Sequence, residues 1–301
     1  MIITNPFIGI FHRLFGGDTQ LEYLANDITI IMLAAVILCF TVSELARNYS
    51  QVDKLWSLMP GVYGVLAYLA FPSPRLLLMS CLVIIWGLRL SYNFYRKGGY
   101  NIIPWKGEED YRWKIVRELP ILKGRLRFGI FNLFFISFYQ HFLIFLFSSP
   151  LLIAAGHQDK GLTMLDAAAA ILMAVFILLE TIADNQQFRF RKEKGAMVNS
   201  DTFRDAEFGK GFVTSGLWKY VRHPNFASEQ AIWICFYFFG VAASGEWINW
   251  TLSGPVLLVL LFVGSTVLTE NISSKKYPGY EEYKRNVPAF IPRLFGSGKN
   301  R

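Results

Sequence analysis

Four polar residues at helical spacing follow a long apolar run and could bind a polar ligand. Glu180, Asp184, Gln187 and Arg191 are separated by four, three and four positions, which places them on one face of a helix. Two carboxylates one turn apart repel each other, so this face needs a compensating partner. A ligand's hydroxyl and amide groups, or the guanidinium of Arg89, could provide it. The alternative is a stripe solvated by lipid headgroups at the membrane interface.

A second polar group precedes a later apolar run. Pro224 ends any helix that enters from the preceding loop, and Asn225 is a suitable N-cap for the next helix. The open backbone amides of that helix start, flanked by Arg222 and His223, predict a phosphate site. Glu229 lies one turn inside, where the simplest role for a carboxylate is to offset the helix dipole.

Arg89 is the only basic residue within an apolar run, and Tyr92 follows it by one turn. Arg89 would either extend to the interface or pair with a carboxylate of the polar face described above. Near the C-terminus, closely spaced tyrosines, Tyr280 and Tyr283 among them, alternate with prolines. This pattern favours a segment folded back onto the protein over a free tail, with an aromatic belt at the interface as the alternative.

The elements that must position these residues are membrane-spanning helices. The chain has 301 residues, of which 53% are hydrophobic and only 17% are charged, well below the usual charged fraction of a soluble domain. We therefore predict an all-α, multi-span integral membrane bundle of about seven transmembrane helices. Residues 1–27 are interpreted as an N-terminal interfacial segment and residues 28–301 as one membrane domain. The predicted spans are 28–46, 55–71, 76–95, 128–147, 164–183, 226–243 and 252–268.

The distribution of basic residues predicts the orientation of these spans. Of the 30 lysines and arginines, 26 lie in alternate loops and the tail, whereas three lie in the other loops. Basic residues concentrate on the cytoplasmic side of membrane proteins. We therefore expect the N-terminus to be outside or lumenal and the C-terminus to be cytoplasmic. The net charge of +8 is explained in the same way, and no nucleic-acid partner is expected.

Several common site motifs are absent from the sequence. There is no GxGxxG after a strand, no GxxxxGK[ST], no HExxH and no nucleophile elbow. The three cysteines lie inside apolar runs without metal-ligand spacing, so no metal site is expected. Any bound nucleotide would need a pocket made by helices and loops.

The motifs resemble those of the steroid 5-alpha-reductase C-terminal superfamily. The run from Gly216 to Glu229, which contains Arg-His-Pro-Asn-Phe, is similar to that superfamily's signature. The acids of the polar face, the Trp-Gly-Leu-Arg-Leu segment and the Glu-Glu-Asp-Tyr-Arg-Trp loop ending at Trp113 resemble the branch called the domain of unknown function 1295. The likeness extends from about Val52 to Pro292. The Arg-His-Pro segment alone is also similar to membrane methyltransferases of isoprenylcysteine and phospholipids.

The resemblance implies a seven-helix bundle that binds NADPH at its cytoplasmic side. An acid and a tyrosine of the first half would polarise the substrate carbonyl, and the candidates here are Asp53 or Glu44 with Tyr92. The residues that would bind the cofactor or order its pocket are Arg89, Glu180, Asp184, Gln187, Arg191, Tyr220, Arg222, His223, Asn225, Glu229, Tyr280 and Tyr283.

The hypothesis that follows is an NADPH-dependent reductase of a carbon–carbon double bond conjugated to a carbonyl, in a steroid or enoyl lipid. Its partners would be a lipid-soluble small-molecule substrate and membrane lipids. It would lie in the endoplasmic reticulum membrane of a eukaryote or the inner membrane of a bacterium. The alternatives are an S-adenosylmethionine-dependent methyltransferase and a non-catalytic lipid-binding membrane protein.

Overall fold

The computed structural model describes residues 17–101, 103, 106–197 and 208–293. The described residues form helices and connecting loops, without a β-strand. The chain divides into two compact units: Met1–Leu172 with Trp233–Leu258, and Met173–Ile232 with Val259–Arg301. Most of the predicted N-terminal interfacial segment falls on residues 1–16, which lie outside the described part.

The first helix is longer than its apolar pattern predicted. Helix α1 (Thr19–Ala46) begins where the Asp18 carboxylate accepts a hydrogen bond from the backbone N–H of Leu21, a standard N-cap. It ends at Arg47, whose φ of 53° is left-handed and stops helix propagation. The predicted boundary at residue 28 was therefore too late, because a polar first turn belongs to the same helix.

The predicted second span, 55–71, is not one continuous helix. It consists of α2 (Gln51–Trp56) and α3 (Met59–Ala70). Helix α3 has 12 residues and is only about 18 Å long, shorter than a hydrocarbon core of about 30 Å. Pro60 stands in its first turn and lacks the backbone N–H needed to continue the helix from α2.

Helix α4 (Pro74–Arg96) packs closely against α3 and also contacts Ser57, between α2 and α3. It starts with Ser73 as N-cap and Pro74 in the first turn. The Ser80 hydroxyl donates to the Gly64 carbonyl over 2.8 Å, and a Cβ on Gly87 would lie 2.3 Å from the Ser57 carbonyl oxygen. The glycine at position 87 thus permits the backbone contact between the two segments.

The predicted span at 128–147 lies inside a longer, irregular helical segment. The short helix α5 (Tyr111–Arg117) precedes this segment. The segment itself consists of α6 (Arg125–Phe131), a π-helix (Asn132–Tyr139), α7 (Gln140–Ser148) and α8 (Pro150–Ala155). π-helical turns are rare and often occur at functional sites. The irregularity here places Asn132 and Ser137 fully inside the first unit.

Three long helices contribute residues to both units: α9 (Met164–Met197), α10 (Pro224–Ser244) and α11 (Ser253–Lys276). The second unit also contains a short 3₁₀ turn at Gly216–Lys219 and helix α12 (Tyr280–Asn286). Within this unit, Phe190, Val213 and Trp218 form a small buried apolar cluster.

Six helical segments of the described chain are long and apolar enough to cross a membrane. This confirms the prediction of an all-α, multi-span membrane protein. The expected count of about seven included the 55–71 segment, which is broken in the structure. The six segments are Thr19–Ala46, Pro74–Arg96, Arg125–Ala155, Met164–Gly195, Pro224–Ser244 and Trp250–Lys276.

Candidate functional site

The second unit contains a partly buried pairing between a carboxylate and an amide. The Asn225 side-chain N–H₂ donates to the Asp184 carboxylate over 3.4 Å. Asn225 lies within the first turn of α10, which begins at Pro224, so the expectation that it is the N-cap was wrong. Because the cap position falls before Pro224, the Asn225 side chain faces Asp184 rather than its own helix end.

The carbonyl oxygen of this amide has no hydrogen-bond donor in the described part of the chain. Asn225 Oδ1 is buried and accepts no hydrogen bond from the described residues. The amide orientation follows from the chemistry of its partner, because an ionised carboxylate accepts hydrogen bonds and cannot donate them. The oxygen is therefore the atom left open, and buried acceptors in native proteins nearly always have a partner.

Two further carboxylates lie one turn from this pair. Glu180 precedes Asp184 by four residues on α9, and Glu229 follows Asn225 by four residues on α10. Glu180, Asp184 and Glu229 have relative exposures of 4%, 3% and 5%. Acidic side chains at this depth in membrane helices are costly and mark functional sites. Exposure increases along the rest of the predicted polar face: Gln187 is half-buried and Arg191 is exposed.

The turn that leads into α10 is fixed to α9 by two hydrogen bonds. The Leu217 backbone N–H donates to Gln186 Oε1 over 3.0 Å, and the Trp218 indole donates to the Ala183 carbonyl over 3.2 Å. Gly216 has a φ of 57°, and a Cβ there would lie 2.2 Å from the Gln186 amide. The sequence analysis chose Gln187 and missed Gln186, whose partner is a backbone N–H and gives no side-chain signal.

Arg222 and His223 contact the C-terminal segment of the same unit. Both side chains bond to Glu270 Oε1, Arg222 Nε over 2.7 Å and His223 Nε2 over 3.0 Å. The Arg222 Nη1 atom donates to the carbonyls of Lys284 and Val287. Their backbone N–H groups donate to the carbonyls of residues 288 and 289 over 2.8 and 3.0 Å. These contacts hold the tail in place, and a phosphate-binding role for Arg222 stays a prediction.

The predicted tail tyrosines lie in this folded-back segment. Tyr280 is buried, and its ring and that of Tyr283 contact Phe212 at centroid distances of 5.0 and 5.3 Å. The Tyr283 hydroxyl donates to the Trp218 carbonyl. Burial raises the pKa of Tyr283 well above its usual value. Tyr220, by contrast, is 61% exposed.

The first unit holds the catalytic candidate Asp53, under a loop that is fixed by several hydrogen bonds. The Trp113 indole donates to Asp53 Oδ2 over 3.4 Å. Asp110 caps helix α5 and pairs with Arg112 at 2.9 Å. Glu109 accepts from the Tyr49 backbone N–H over 3.0 Å. The Glu-Glu-Asp-Tyr-Arg-Trp motif thus holds the loop beside Asp53.

The pKa values of Asp53 and Asp110 are shifted in opposite directions. Burial, together with the nearby charge of Asp110, raises the pKa of Asp53, although Arg112 opposes the shift. Burial also disfavours the charged form of Asp110, but the charge and hydrogen bonds of Arg112 outweigh it and lower the pKa of that carboxyl. Asp53 therefore holds its proton more tightly than a free aspartate does, whereas Asp110 favours its charged form.

The other first-half candidates have different surroundings. Glu44 accepts a hydrogen bond from the Asn132 amide over 3.0 Å and lies 3.4 Å from Arg47. Tyr92 is 63% exposed on α4, with the Arg96 guanidinium 5.7 Å from its ring centre. The sequence analysis missed Asn132, for which an amide side chain in an apolar run was the available signal.

Tyr100 is a further hydroxyl in this region that was not predicted. It donates to the Lys54 carbonyl over 3.0 Å and lies 3.3 Å from the Ser57 hydroxyl, at the α2–α3 break. Arg89 is half-buried in the first unit, and its pairing with the acids of α9 stays a prediction. No group of three or more metal-binding side chains occurs in the described part of the chain.

Fold and site together define a multi-span helical membrane protein with buried acidic and amide groups on its helices. The family described as Protein of unknown function (DUF1295) matches residues 39–287. The chain belongs to this family, within the steroid 5-alpha-reductase-like superfamily. It is 38% identical over 293 residues to an uncharacterised protein of Schizosaccharomyces pombe, with coverage of 91% of this chain and 82% of the relative. No solved structure matches the chain.

Proposed function

We propose that this protein is a membrane reductase that uses NADPH to reduce a carbon–carbon double bond conjugated to a carbonyl group in a lipid. The observation that carries this proposal is the partly buried Asp184–Asn225 pair, whose amide oxygen is buried and open. That oxygen fits a ligand N–H donor, and NADPH carries two such groups, the carboxamide and the adenine amine. Membership of a superfamily of lipid reductases supports the same reading.

The surrounding side chains suit the other parts of a dinucleotide. Asp184 holds the Asn225 amide in one orientation, so that its acceptor is directed at the ligand. Glu180 and Glu229 are buried carboxylates one turn away, and carboxylates accept hydrogen bonds from ribose hydroxyls. Arg191 lies at the exposed end of the same helix face, where a guanidinium can pair with a phosphate.

The family resemblance predicts that an acid from the first half of the chain polarises the substrate carbonyl. When bound, NADPH supplies the hydride that reaches the β-carbon of the substrate. Negative charge then develops on the carbonyl oxygen, a hydrogen-bond donor at that oxygen lowers the barrier, and a proton from solvent adds to the α-carbon to complete the reduction. Asp53 suits this role because its raised pKa favours the protonated carboxyl. The Trp113 indole orients that carboxyl by its hydrogen bond.

The substrate class follows from the surroundings of the site. A steroid or enoyl lipid dissolves in the bilayer and can enter a helical bundle from the side. The protein would act in the endoplasmic reticulum membrane of a eukaryote, or in the inner membrane of a bacterium. Membrane lipids would be its immediate neighbours, and no nucleic acid takes part.

Nucleotide binding by the purified protein tests this proposal. NADPH and S-adenosylmethionine are titrated separately into the full chain in detergent, for the native protein and for Asp184→Asn. We expect NADPH to bind the native protein and Asp184→Asn to bind it about 1–2 kcal/mol more weakly, because an amide at position 184 can donate as well as accept and no longer holds the open oxygen of Asn225 toward the ligand. The melting temperature without ligand should hold or rise, since repulsion between Asp184 and Glu180 is removed.

Asp159→Asn is the matched control, because Asp159 is an exposed carboxylate in the loop before α9. It should leave NADPH affinity unchanged. Binding of S-adenosylmethionine in place of NADPH would favour the methyltransferase, and binding of neither would favour a lipid-binding protein. Normal NADPH affinity in Asp184→Asn would show that the acidic face of α9 is structural.

A further inference from the structure

The segment from residue 111 to residue 127 of the first unit combines exposed apolar and exposed basic side chains. Its apolar members include Ile121 and Leu126, each 77% exposed, and Leu119, 40% exposed. The exposed basic residues of the segment are Lys114, Lys123, Arg125 and Arg127. Within the described residues, no ion pair or hydrogen bond engages these four side chains.

The opposite side of this segment is fixed to the first unit. Trp113, Val116 and Phe128 are buried. The Arg117 guanidinium pairs with Glu109 at 3.3 Å and lies 5.4 Å from the Tyr49 ring centre. The segment is therefore held by one face, and the apolar and basic side chains point outward from a rigid support.

The position of the segment in the chain places it at a membrane surface. Arg125 is the first residue of the candidate span Arg125–Ala155, so the residues just before it lie where that span leaves the bilayer. Apolar side chains at such a boundary enter the acyl region, while basic side chains reach the headgroups. Glu118 is the only exposed acid among residues 111–127, which leaves the exposed surface strongly positive.

We propose that residues 111–127 form a docking surface for anionic phospholipids, whose headgroups contact the four exposed basic side chains and whose acyl chains contact Ile121 and Leu126. Charge complementarity selects anionic over zwitterionic headgroups. The rigid attachment through Trp113 and Arg117 makes this a defined surface and distinguishes it from general attraction to a basic loop. This inference does not depend on the proposed reductase reaction.

Lipid titration of the full chain in detergent tests the proposal. Phosphatidylserine and phosphatidylcholine are titrated separately, and bound lipid is counted by native mass spectrometry. We expect phosphatidylserine to bind the native protein more tightly. In the variant K114Q/K123Q/R125Q/R127Q this preference should fall by roughly fivefold for each removed charge, the equivalent of about 1 kcal/mol per basic residue near an anionic surface.

The matched control removes four exposed basic residues from the second unit: K192Q/K210Q/K275Q/R285Q. It changes the net charge equally and should keep the phosphatidylserine preference. An equal loss in this control, or an unchanged preference in the segment variant, overturns the proposal. If the fourfold segment variant fails to fold, K123Q/R125Q is measured against K192Q/K210Q, with the same two outcomes.

The apolar part of the surface is tested separately by I121S/L126S. This variant should lower the affinity for both lipids and leave their ratio unchanged, because the acyl contacts are common to both. Unchanged affinity for both lipids would overturn the acyl contact. NADPH affinity, measured on the same preparations, should stay at the native value in every variant, so failure of this proposal and failure of the reductase proposal are distinguishable.

Discussion

Two polar clusters of this protein differ in how many of their hydrogen-bond donors and acceptors have a partner. In the first unit, Arg75 and Asp166 are each 1% exposed and form two parallel hydrogen bonds of 2.8 and 3.0 Å. Arg75 also donates to the carbonyls of Lys160 and Gly161, and Asp166 accepts from Thr163. In the second unit, the Asp184–Asn225 pair leaves one acceptor open.

The difference distinguishes a closed structural cluster from the cluster that we propose as the cofactor site. A bidentate pair whose remaining donors and acceptors are occupied has nothing to offer a ligand. An amide with one half fixed and the other half open is prepared for a ligand donor. Both clusters contain a buried carboxylate, and the hydrogen-bond partners of the second residue distinguish them.

The largest expected effect is at the closed cluster. Arg75→Leu leaves the Asp166 carboxylate buried without its partner and should lower the free energy of unfolding by about 3–5 kcal/mol. The double variant Arg75→Leu/Asp166→Leu should recover part of this loss. Thermal unfolding in detergent measures both. A mild effect of the single variant would remove the contrast between the two clusters.

An intermediate effect is expected at Arg222, which lies in the same unit as the open cluster but is itself engaged by Glu270 and the tail. Arg222→Ala should weaken the attachment of the tail and increase proteolysis between residues 284 and 293. If Arg222 also binds phosphate, NADPH affinity should fall by about 1.5–3 kcal/mol.

Tyr283→Phe is the control for this variant, because it removes one tail contact, to the Trp218 carbonyl, and no charge. It should also increase proteolysis of the tail, to a lesser degree. If both variants lower NADPH affinity in proportion to tail release, Arg222 acts through the tail. A loss of affinity confined to Arg222→Ala would support direct phosphate binding.

The smallest expected effect concerns pH and the Asp53 carboxyl. Because the folded protein raises the pKa of Asp53 above its ordinary 3.8, ionisation of this group opposes folding as the pH rises through the folded pKa. Asp53→Asn should therefore be slightly more stable than the native protein at neutral pH, and this gain should vanish as the pH falls toward 3.8.

Asp110 should affect stability in the opposite direction to Asp53 as the pH changes. Its folded pKa is lowered, so its contribution to stability is present above the ordinary value and is lost as the pH falls through the folded pKa. Asp110→Asn should destabilise the protein at neutral pH. Unfolding curves between pH 3 and pH 7 distinguish the two variants, and parallel behaviour of both would contradict the assignment of Asp53 as the protonated acid.

Several features of the fold followed from the pattern of apolar and charged residues. Long apolar runs require helices in a bilayer, because the backbone must satisfy its hydrogen bonds internally, and six of the predicted spans correspond to long helices. The spacing of Glu180 and Asp184 identified one polar helix face, and the Pro224-Asn225 pair identified a helix start. Family membership followed from the same motifs.

Other features depended on packing between residues distant in sequence. The ion pair of Arg75 with Asp166 and the contact of Arg222 with the tail both join residues whose separation gives no periodic signal. The role of Gln186 also depended on a distant residue, because its side chain accepts a hydrogen bond from the backbone of Leu217.

The sequence by itself determined that this chain is a helical membrane protein of the DUF1295 family, because hydropathy and short motifs are local properties. Only the tertiary structure decided which polar residues are satisfied and which are open. That distinction depends on whether a second element brings a donor or acceptor within about 3 Å, as Gly161 does for Arg75 and as no described residue does for the oxygen of Asn225.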